Sequence, residues 1–270
     1  MAALLRLVHP APAAAVVTLS ATLAAILSDQ AGSSPSSGRV VLVTLSVLGS
    51  QIVTGTMNDW ADRGRDAVTQ PTKPIPAGEA SATVALGLAG FGLVLQVGAS
   101  IPLGAAALVI GLLAVGSAVA YDLWLSRTAS SFVPYLVSFG LLPLWIAAGV
   151  GVPFDRVVVA SLLVGPFAVA AHLANTLKDY DGDAAVGSGN LAQRLGRTWA
   201  STLAVLLAAG VGLGAGIGLA TDGRLGLPSM LLGAVGLVAV AQGARSAPRL
   251  WGGILVAAVS WTAAWALATG

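Results

Sequence analysis

Two clusters of acidic residues are the part of this sequence best suited to chemistry. The first reads NDWADRGRD and the second reads NTLKDYDGD. Each cluster holds an asparagine and two aspartates at four-residue steps: Asn58, Asp62 and Asp66 in the first, and Asn175, Asp179 and Asp183 in the second. Residues four apart lie on one face of a helix. We therefore predict that each cluster forms a column of oxygen ligands on a helix.

Such columns predict a site for a hard metal ion. Neighbouring carboxylates repel one another unless a cation neutralises them, and proteins often hold magnesium with one or two carboxylates and the phosphates of a substrate. Two facing columns would let magnesium bridge to a diphosphate and assist the ionisation of an allylic carbon–oxygen bond. Basic residues of the same segments would add positive charge around the diphosphate; these are Arg63, Arg65, Lys73 and Lys178.

The spacing alone indicates a metal site and does not identify a reaction. For one such cluster, a solvated loop at a helix end would be an equally good interpretation. The same spacing recurs 117 residues later, which favours a shared site. The chain has no cysteine and only 2 histidines, which excludes thiolate sites and argues against histidine-rich ones. Its net charge of +2 gives no reason to expect nucleic acid as a partner.

The elements that must position the clusters are membrane-spanning helices. Of 270 residues, 56% are hydrophobic and 9% are charged, whereas soluble domains carry about 25% charged residues. A helix crosses the bilayer with about 20 apolar residues, and strand-like alternation is absent from the apolar stretches. We predict an all-α, nine-helix membrane bundle forming one domain, with spans at 10–28, 39–57, 80–99, 102–121, 130–150, 157–177, 198–220, 226–243 and 248–268.

The charges predict the orientation of these spans in the membrane. Nine spans place alternate loops on opposite faces, and one face then carries ten of the 13 basic residues: Arg6, Arg63, Arg65, Lys73, Arg127, Lys178, Arg194, Arg197, Arg245 and Arg249. The other face carries Arg39, Arg156 and Arg224. Basic residues favour the cytoplasmic side. We therefore predict a cell-membrane protein whose amino terminus and both acidic clusters are cytoplasmic.

Both clusters resemble motifs of the UbiA superfamily of intramembrane prenyltransferases. The first cluster matches the motif NDxxDxxxD through Asn58, Asp59, Asp62 and Asp66. The second matches DxxxD through Asp179 and Asp183, and Asn175 fits the extended form of that motif. The segments that follow the two clusters, 73–78 (KPIPAG) and 189–196 (GNLAQRLG), also resemble family segments. The resemblance extends from about residue 9 to about residue 200.

The resemblance implies a nine-helix bundle with a central cavity capped by two cytoplasmic loops. It implies Mg²⁺, an isoprenoid diphosphate donor and a lipophilic, often aromatic, acceptor. The implied metal ligands are Asn58, Asp59, Asp62, Asp66, Asp179 and Asp183. All of the aspartates in that set except Asp59 are expected to be catalytic. The residues expected to contact substrate are Arg63, Lys73, Tyr121, Arg127, Asn175 and Lys178.

Two positions differ from the usual family pattern, and both concern the acceptor. His9-Pro10 stands where many members carry Arg-Pro, and Arg127 is the cation available after Tyr121 where many members carry lysine. The acceptor therefore stays open. His172 lies one turn before Asn175 within a span, where a functional role and helix packing are both possible interpretations.

The leading hypothesis is transfer of a prenyl chain from its diphosphate to an acceptor. A second hypothesis is cyclisation of the donor itself, since the same aspartates would start either reaction; incubation without acceptor separates the two. A cation transporter is a third hypothesis. It predicts acids near the membrane midplane and ion flux that depends on Asp62 and Asp179, whereas the acids here cluster at one boundary.

Overall fold

The computed structural model describes residues 2–30 and 37–269, and over these ranges it is helical and contains no strand. The α-helices in chain order are α1 (Ala2–Leu7), α2 (Pro10–Gln30), α3 (Ser37–Thr69), α4 (Ala82–Ser100), α5 (Ala105–Leu123), α6 (Val133–Val150), α7 (Val158–Lys178), α8 (Tyr180–Ala185), α9 (Leu191–Thr221), α10 (Leu227–Gly243) and α11 (Ala247–Thr269). Single 3-10 turns occupy Ile101–Leu103, Leu125–Arg127 and Phe154–Arg156.

Within residues 2–30 and 37–269, the nine longer helices correspond one to one with the nine predicted spans. Eight helices of the described ranges are long and apolar enough to cross a membrane, and α10 is apolar but has only 17 residues. The all-α prediction is therefore confirmed. One helix extends beyond its predicted span: α3 continues to Thr69 through polar residues that hydropathy could not detect. Helix α9 begins at Leu191 but is interrupted at Gly196, which has φ of 77°, so the predicted span from 198 corresponds to the part of α9 after this break.

The helices group into two compact units. The first comprises Met1–Ser126 and Leu141–Ser161. In it α3 packs against α2, α4 and α5, around a core that includes Val43, Val47, Trp145 and Ile146. Arg39, near the start of α3, donates from Nε to the Gly149 carbonyl at 2.7 Å and from Nη2 to the Leu103 carbonyl at 3.1 Å. The Arg39 side chain therefore satisfies carbonyl groups at the ends of two neighbouring segments.

The second unit comprises Arg127–Gly140 and Leu162–Gly270. Helices α10 and α11 pack closely in it, and Trp261 of α11 donates from Nε1 to the Gly233 carbonyl at 3.1 Å. A Cβ atom at Gly236 would lie 2.1 Å from the Trp261 Nε1 atom. Because glycine leaves room for the indole ring, the two helices approach closely, as is common between helices in lipid.

Glycine also sets the spacing of α3 and α4, which gives a test of the packing. A Cβ atom at Gly49 would lie 2.6 Å from the Gly92 carbonyl oxygen and 2.6 Å from the Gln96 amide nitrogen. These are backbone atoms, so Gly49→Ala must push the helices apart. We expect it to destabilise the protein by about 1–3 kcal/mol, measured by thermal unfolding in detergent.

The matched control for this prediction is Gly87→Ala in α4, where an added Cβ meets no atom within 4 Å. Alanine is the better helix former by about 1 kcal/mol. The control should therefore leave the unfolding midpoint unchanged or raise it. Equal midpoints for the two variants would contradict the close contact at Gly49.

Candidate functional site

The first acidic motif lies on α3, as the spacing predicted. Asp59, Asp62 and Asp66 are separated by three and four residues, which places them on one helix face. All three carboxylates are buried, with exposed fractions of 2%, 3% and 0%. A buried carboxylate needs a positive partner or hydrogen bonds to offset the loss of water. The groups around this motif therefore show how its charge is balanced.

Lys73 is the main positive partner of the motif. Its Nζ atom lies 3.1 Å from Asp59 Oδ1 and 2.8 Å from Asp66 Oδ2, so one ammonium group bridges two carboxylates. Burial by itself would lower the pKa of Lys73. The hydrogen bond to Asp66 and the charges of Asp59 and Asp66 outweigh burial and raise the pKa above its usual value. Lys73 therefore stays protonated at neutral pH.

The segment that carries Lys73 is fastened in place by its own backbone and by α1. The Ala77 amide donates to the Lys73 carbonyl at 2.9 Å, and the Glu79 amide donates to the Pro74 carbonyl at 2.9 Å. Arg6 of α1 forms an ion pair with Glu79 at 2.7 Å and also donates to the Thr72 carbonyl. The KPIPAG segment thus forms a compact turn that presents Lys73 to the motif.

His9, between α1 and α2, is a second partner of the motif. Its Nε2 atom lies 3.0 Å from Asp59 Oδ1. The backbone of His9 has φ of 53°, which puts a non-glycine residue in the left-handed region just before Pro10. Such a conformation costs about 1–3 kcal/mol. The packing around the α1–α2 junction therefore holds His9 in a strained position beside Asp59.

The two arginines inside the motif point in different directions. Arg65 Nη2 lies 2.5 Å from Asp62 Oδ2, so Arg65 belongs to the charge network. Arg63 is exposed, donates to the Trp60 carbonyl at 2.5 Å and stacks on the Trp60 ring, with 4.5 Å from its Cζ atom to the ring centroid. Of the predicted substrate contacts in this unit, the structure brings Lys73 to the acids and turns Arg63 toward Trp60.

Asp122, near the end of α5, joins this motif although it was not among the predicted ligands. The Asn58 amide donates from Nδ2 to Asp122 Oδ1 at 3.1 Å. Asp122 is 6% exposed and follows the predicted contact residue Tyr121, which is half-buried. A sequence signal existed, since Asp122 is an acid at the end of an apolar span. Because Asp122 and Asn58 are 64 residues apart in the sequence, the contact between them could not be predicted.

The motif offers oxygen atoms to a cation. Asp59 Oδ2, Asp66 Oδ1 and Asp122 Oδ2 are buried and have no hydrogen-bond partner within residues 2–30 and 37–269. Unpaired buried carboxylate oxygens suit a hard divalent ion such as Mg²⁺. In the same ranges no three acidic or histidine side chains lie close enough together to hold a metal by themselves. Other oxygen donors, such as phosphate or water, would complete its coordination.

The second motif has a different backbone from the first, although the spacing is the same. Helix α7 ends at Lys178, Asp179 has φ of −97° and ψ of 12°, and α8 begins at Tyr180. The prediction of one continuous helical column through Asn175, Asp179 and Asp183 is therefore wrong. Aspartate and glycine favour turns over helix interiors, and the second motif concentrates three aspartates and a glycine in five residues, 179–183, whereas the first spreads the same number over eight residues, 59–66. The carboxylates of α8 lie instead in its first turn.

Asn190 holds the second motif to the start of α9. Its Nδ2 atom donates to Asp183 Oδ2 at 2.8 Å, and its Oδ1 atom accepts from the Gln193 amide at 3.0 Å. The second bond makes Asn190 the N-cap of α9. Gln193 in turn donates from its side chain to the Tyr180 carbonyl at 2.6 Å. The resemblance of the GNLAQRLG segment to the family pattern did not by itself indicate a role for Asn190.

The remaining predicted site residues of the second unit differ in their contacts and in their exposure. Asp181 pairs with Arg197, and the Lys178 ammonium lies 4.6 Å from the centroid of the Trp251 ring. Asp179 and Arg127 are exposed, and Asn175 is half-buried on α7.

His172 is buried and contacts Ser131 Oγ at 3.0 Å, with its ring 4.4 Å from that of Tyr135. These contacts are typical of helix packing.

The family of the chain follows from a comparison of its sequence with family profiles. The profile of the UbiA prenyltransferase family matches residues 17–250. The chain belongs to the UbiA prenyltransferase family. The match covers both acidic motifs and most of the helices. A comparison with curated protein sequences gave no match.

Solved structures of UbiA homologues share this fold. A UbiA homologue from Aeropyrum pernix K1 has a TM-score of 0.74 at 17% identity, over 93% of this chain and 96% of that one. A digeranylgeranylglyceryl phosphate synthase structure has a TM-score of 0.74 at 16% identity, over 99% and 97%. A homologue from Archaeoglobus fulgidus, bound to GPP and Mg²⁺, has a TM-score of 0.67 at 16% identity, over 99% and 100%. The UbiA fold and the apolar helices together make this a multi-pass membrane protein.

The position of Lys73 gives a prediction about stability. Lys73→Met keeps the length of the side chain but leaves Asp59 and Asp66 buried without their shared cation. Removing one partner of a buried ion pair costs about 3–5 kcal/mol. We expect a correspondingly lower midpoint of thermal unfolding for the metal-free protein in detergent.

Lys178→Met is the matched control, because Lys178 is exposed and, among the described residues, its ammonium group lies over the Trp251 ring and forms no ion pair. An exposed cation–π contact contributes about 0.5–1 kcal/mol. The loss for Lys178→Met should therefore be several times smaller. Similar losses in the two variants would show that Lys73 does not balance the acids.

Proposed function

We propose that this protein is a Mg²⁺-dependent prenyltransferase that moves a prenyl chain from an isoprenoid diphosphate to a lipophilic acceptor in the membrane. The observation that carries the proposal is the buried face of α3, where Asp59 and Asp66 keep unpaired carboxylate oxygens in a UbiA family member. UbiA homologues from Archaeoglobus fulgidus have structures with bound DMAPP or GPP and Mg²⁺, which supports the same ligand class here.

In this proposal the two acidic motifs supply the Mg²⁺ ligands. The groups that would hold Mg²⁺ are Asn58, Asp59, Asp62, Asp66, Asp179 and Asp183. When bound, the metal would neutralise the leaving diphosphate and assist cleavage of the allylic carbon–oxygen bond. The fixed positive charge of Lys73 would orient the diphosphate beside the α3 carboxylates. Arg127, Lys178, Tyr121 and Asn175 remain proposed substrate contacts.

The membrane environment fits this chemistry. An isoprenoid tail is apolar, so apolar helices would hold it and exclude water from the reactive carbon. The acceptor attacks that carbon and then loses a proton. The distribution of basic residues supports a cytoplasmic position for the amino terminus and both motifs. Water-soluble Mg²⁺ would then reach the motifs from the cytoplasm.

The aspartate assignments predict the behaviour of single variants. Asp62→Ala and Asp179→Ala should each reduce diphosphate release from geranylgeranyl diphosphate by at least about 100-fold, since a metal-assisted step is worth several kcal/mol. Thermal unfolding should confirm that both variants remain folded. The matched control is Asp222→Ala at the end of α9, an exposed acid far from either motif in sequence, which should keep wild-type turnover. Near-normal activity in both motif variants would falsify their assigned roles.

An incubation without acceptor separates transfer from cyclisation. We expect purified protein with farnesyl or geranylgeranyl diphosphate and Mg²⁺ to form no cyclic hydrocarbon, as analysed by gas chromatography with mass spectrometry. Addition of membrane lipid extract should then give a prenylated product, and chelation of Mg²⁺ should stop its formation. A cyclic product without acceptor would identify a terpene cyclase and overturn the transfer proposal.

A further inference from the structure

The contact between Asn58 and Asp122 joins the first motif to a residue outside both family motifs. Asn58 lies on α3 one turn before Asp62, and Asp122 lies near the end of α5, which packs against α3. The Asn58 Nδ2 atom donates to Asp122 Oδ1 at 3.1 Å. Asp122 is 6% exposed, so this hydrogen bond is shielded from water on the Asp122 side.

The chemistry of the two groups fixes the orientation of the Asn58 amide. A carboxamide carries two N–H donors on one atom and an acceptor oxygen on the other. Asp122 Oδ1 is the acceptor in this contact, so the amide is oriented with Nδ2 facing α5. The Asn58 Oδ1 atom then faces away from Asp122, and within the described ranges it has no hydrogen-bond partner. The oxygen of Asn58 is therefore left available to another ligand.

We propose that Asp122 is a positioning residue that holds the Asn58 amide with its oxygen available to Mg²⁺. This inference rests on the proposed function, which makes Asn58 a metal ligand. Mg²⁺ binds oxygen and is repelled by the N–H end of an amide. Loss of the Asp122 carboxylate would allow the amide to rotate, and only part of the molecules would then present oxygen.

The size of the effect follows from other metal sites. Groups that orient a metal ligand through a hydrogen bond typically change metal affinity by about 10–100-fold when they are removed. Asp122→Leu removes the acceptor while keeping a side chain of similar size. Asp122→Asn keeps an acceptor oxygen for Asn58 and removes the negative charge. The two variants therefore separate positioning of Asn58 from direct binding of the metal by Asp122.

The test is a measurement of metal affinity. Purified protein in detergent is titrated with Mg²⁺ in the presence of geranyl thiodiphosphate, an unreactive donor analogue, and binding is followed by isothermal titration calorimetry. We expect Asp122→Leu to raise the Kd for Mg²⁺ by about 10–100-fold and Asp122→Asn to raise it only a few-fold. Asn58→Leu should weaken binding as much as the double variant Asn58→Leu/Asp122→Leu, because Asp122 acts through Asn58.

Activity and stability supply two further readouts. In the turnover assay, the Mg²⁺ concentration for half-maximal rate should rise in Asp122→Leu, while the KM for the prenyl diphosphate at saturating Mg²⁺ stays near wild type. A purely structural role would not shift the metal dependence selectively. Thermal unfolding without Mg²⁺ reports whether the variant is folded. Asp122→Ala replaces Asp122→Leu in the test where the leucine variant does not fold.

Three outcomes would overturn the inference. A folded Asp122→Leu or Asp122→Ala variant with wild-type Kd for Mg²⁺ would show that Asp122 does not position a ligand. An equal loss in Asp122→Asn and Asp122→Leu would make the charge of Asp122 the important property and point to direct ligation. Additive losses in the double variant would separate Asp122 from Asn58. If the wild-type protein binds no Mg²⁺ with the analogue, the proposed function fails as well.

Discussion

The burial of negative charge on one face of α3 is the constraint on which the first unit depends. Three carboxylates of that helix are almost fully buried, and their cations are Lys73 and Arg65, with His9 as an additional partner. Several other features serve to keep these partners in place. The turn after α3 presents Lys73, Arg6 fastens that turn, and the strained backbone at His9 brings its ring to Asp59.

The sequence predicted the helices well because each span has a strong local signal. About 20 consecutive apolar residues can be recognised without knowledge of their neighbours. The helical form of the first motif was predicted for the same reason, since a four-residue step is a local property. The exact end of α3 at Thr69 could not be predicted from hydropathy, because the residues after the span are polar.

The contacts that complete the first motif were not predictable from one sequence. His9 meets Asp59 across 50 positions and Asn58 meets Asp122 across 64. Neither contact can be recognised from neighbouring residues in the sequence, because the packing of the helices decides which side chains meet. The second motif shows the opposite difficulty. Its spacing repeats that of the first, yet its aspartates and glycine are concentrated in residues 179–183, where their preference for turns interrupts the helix at Asp179. Equal residue spacing in the two motifs therefore did not give the same backbone conformation.

Because α3 is one continuous helix, insertions and deletions within it would disturb the first motif. The helix has 33 residues and is about 50 Å long, with Arg39 bound near one end and Asp66 near the other. Each residue inserted or deleted between them would turn the acids by about 100° around the helix axis relative to the Arg39 end. Related genes should therefore keep the interval from Arg39 to Asp66 constant in length.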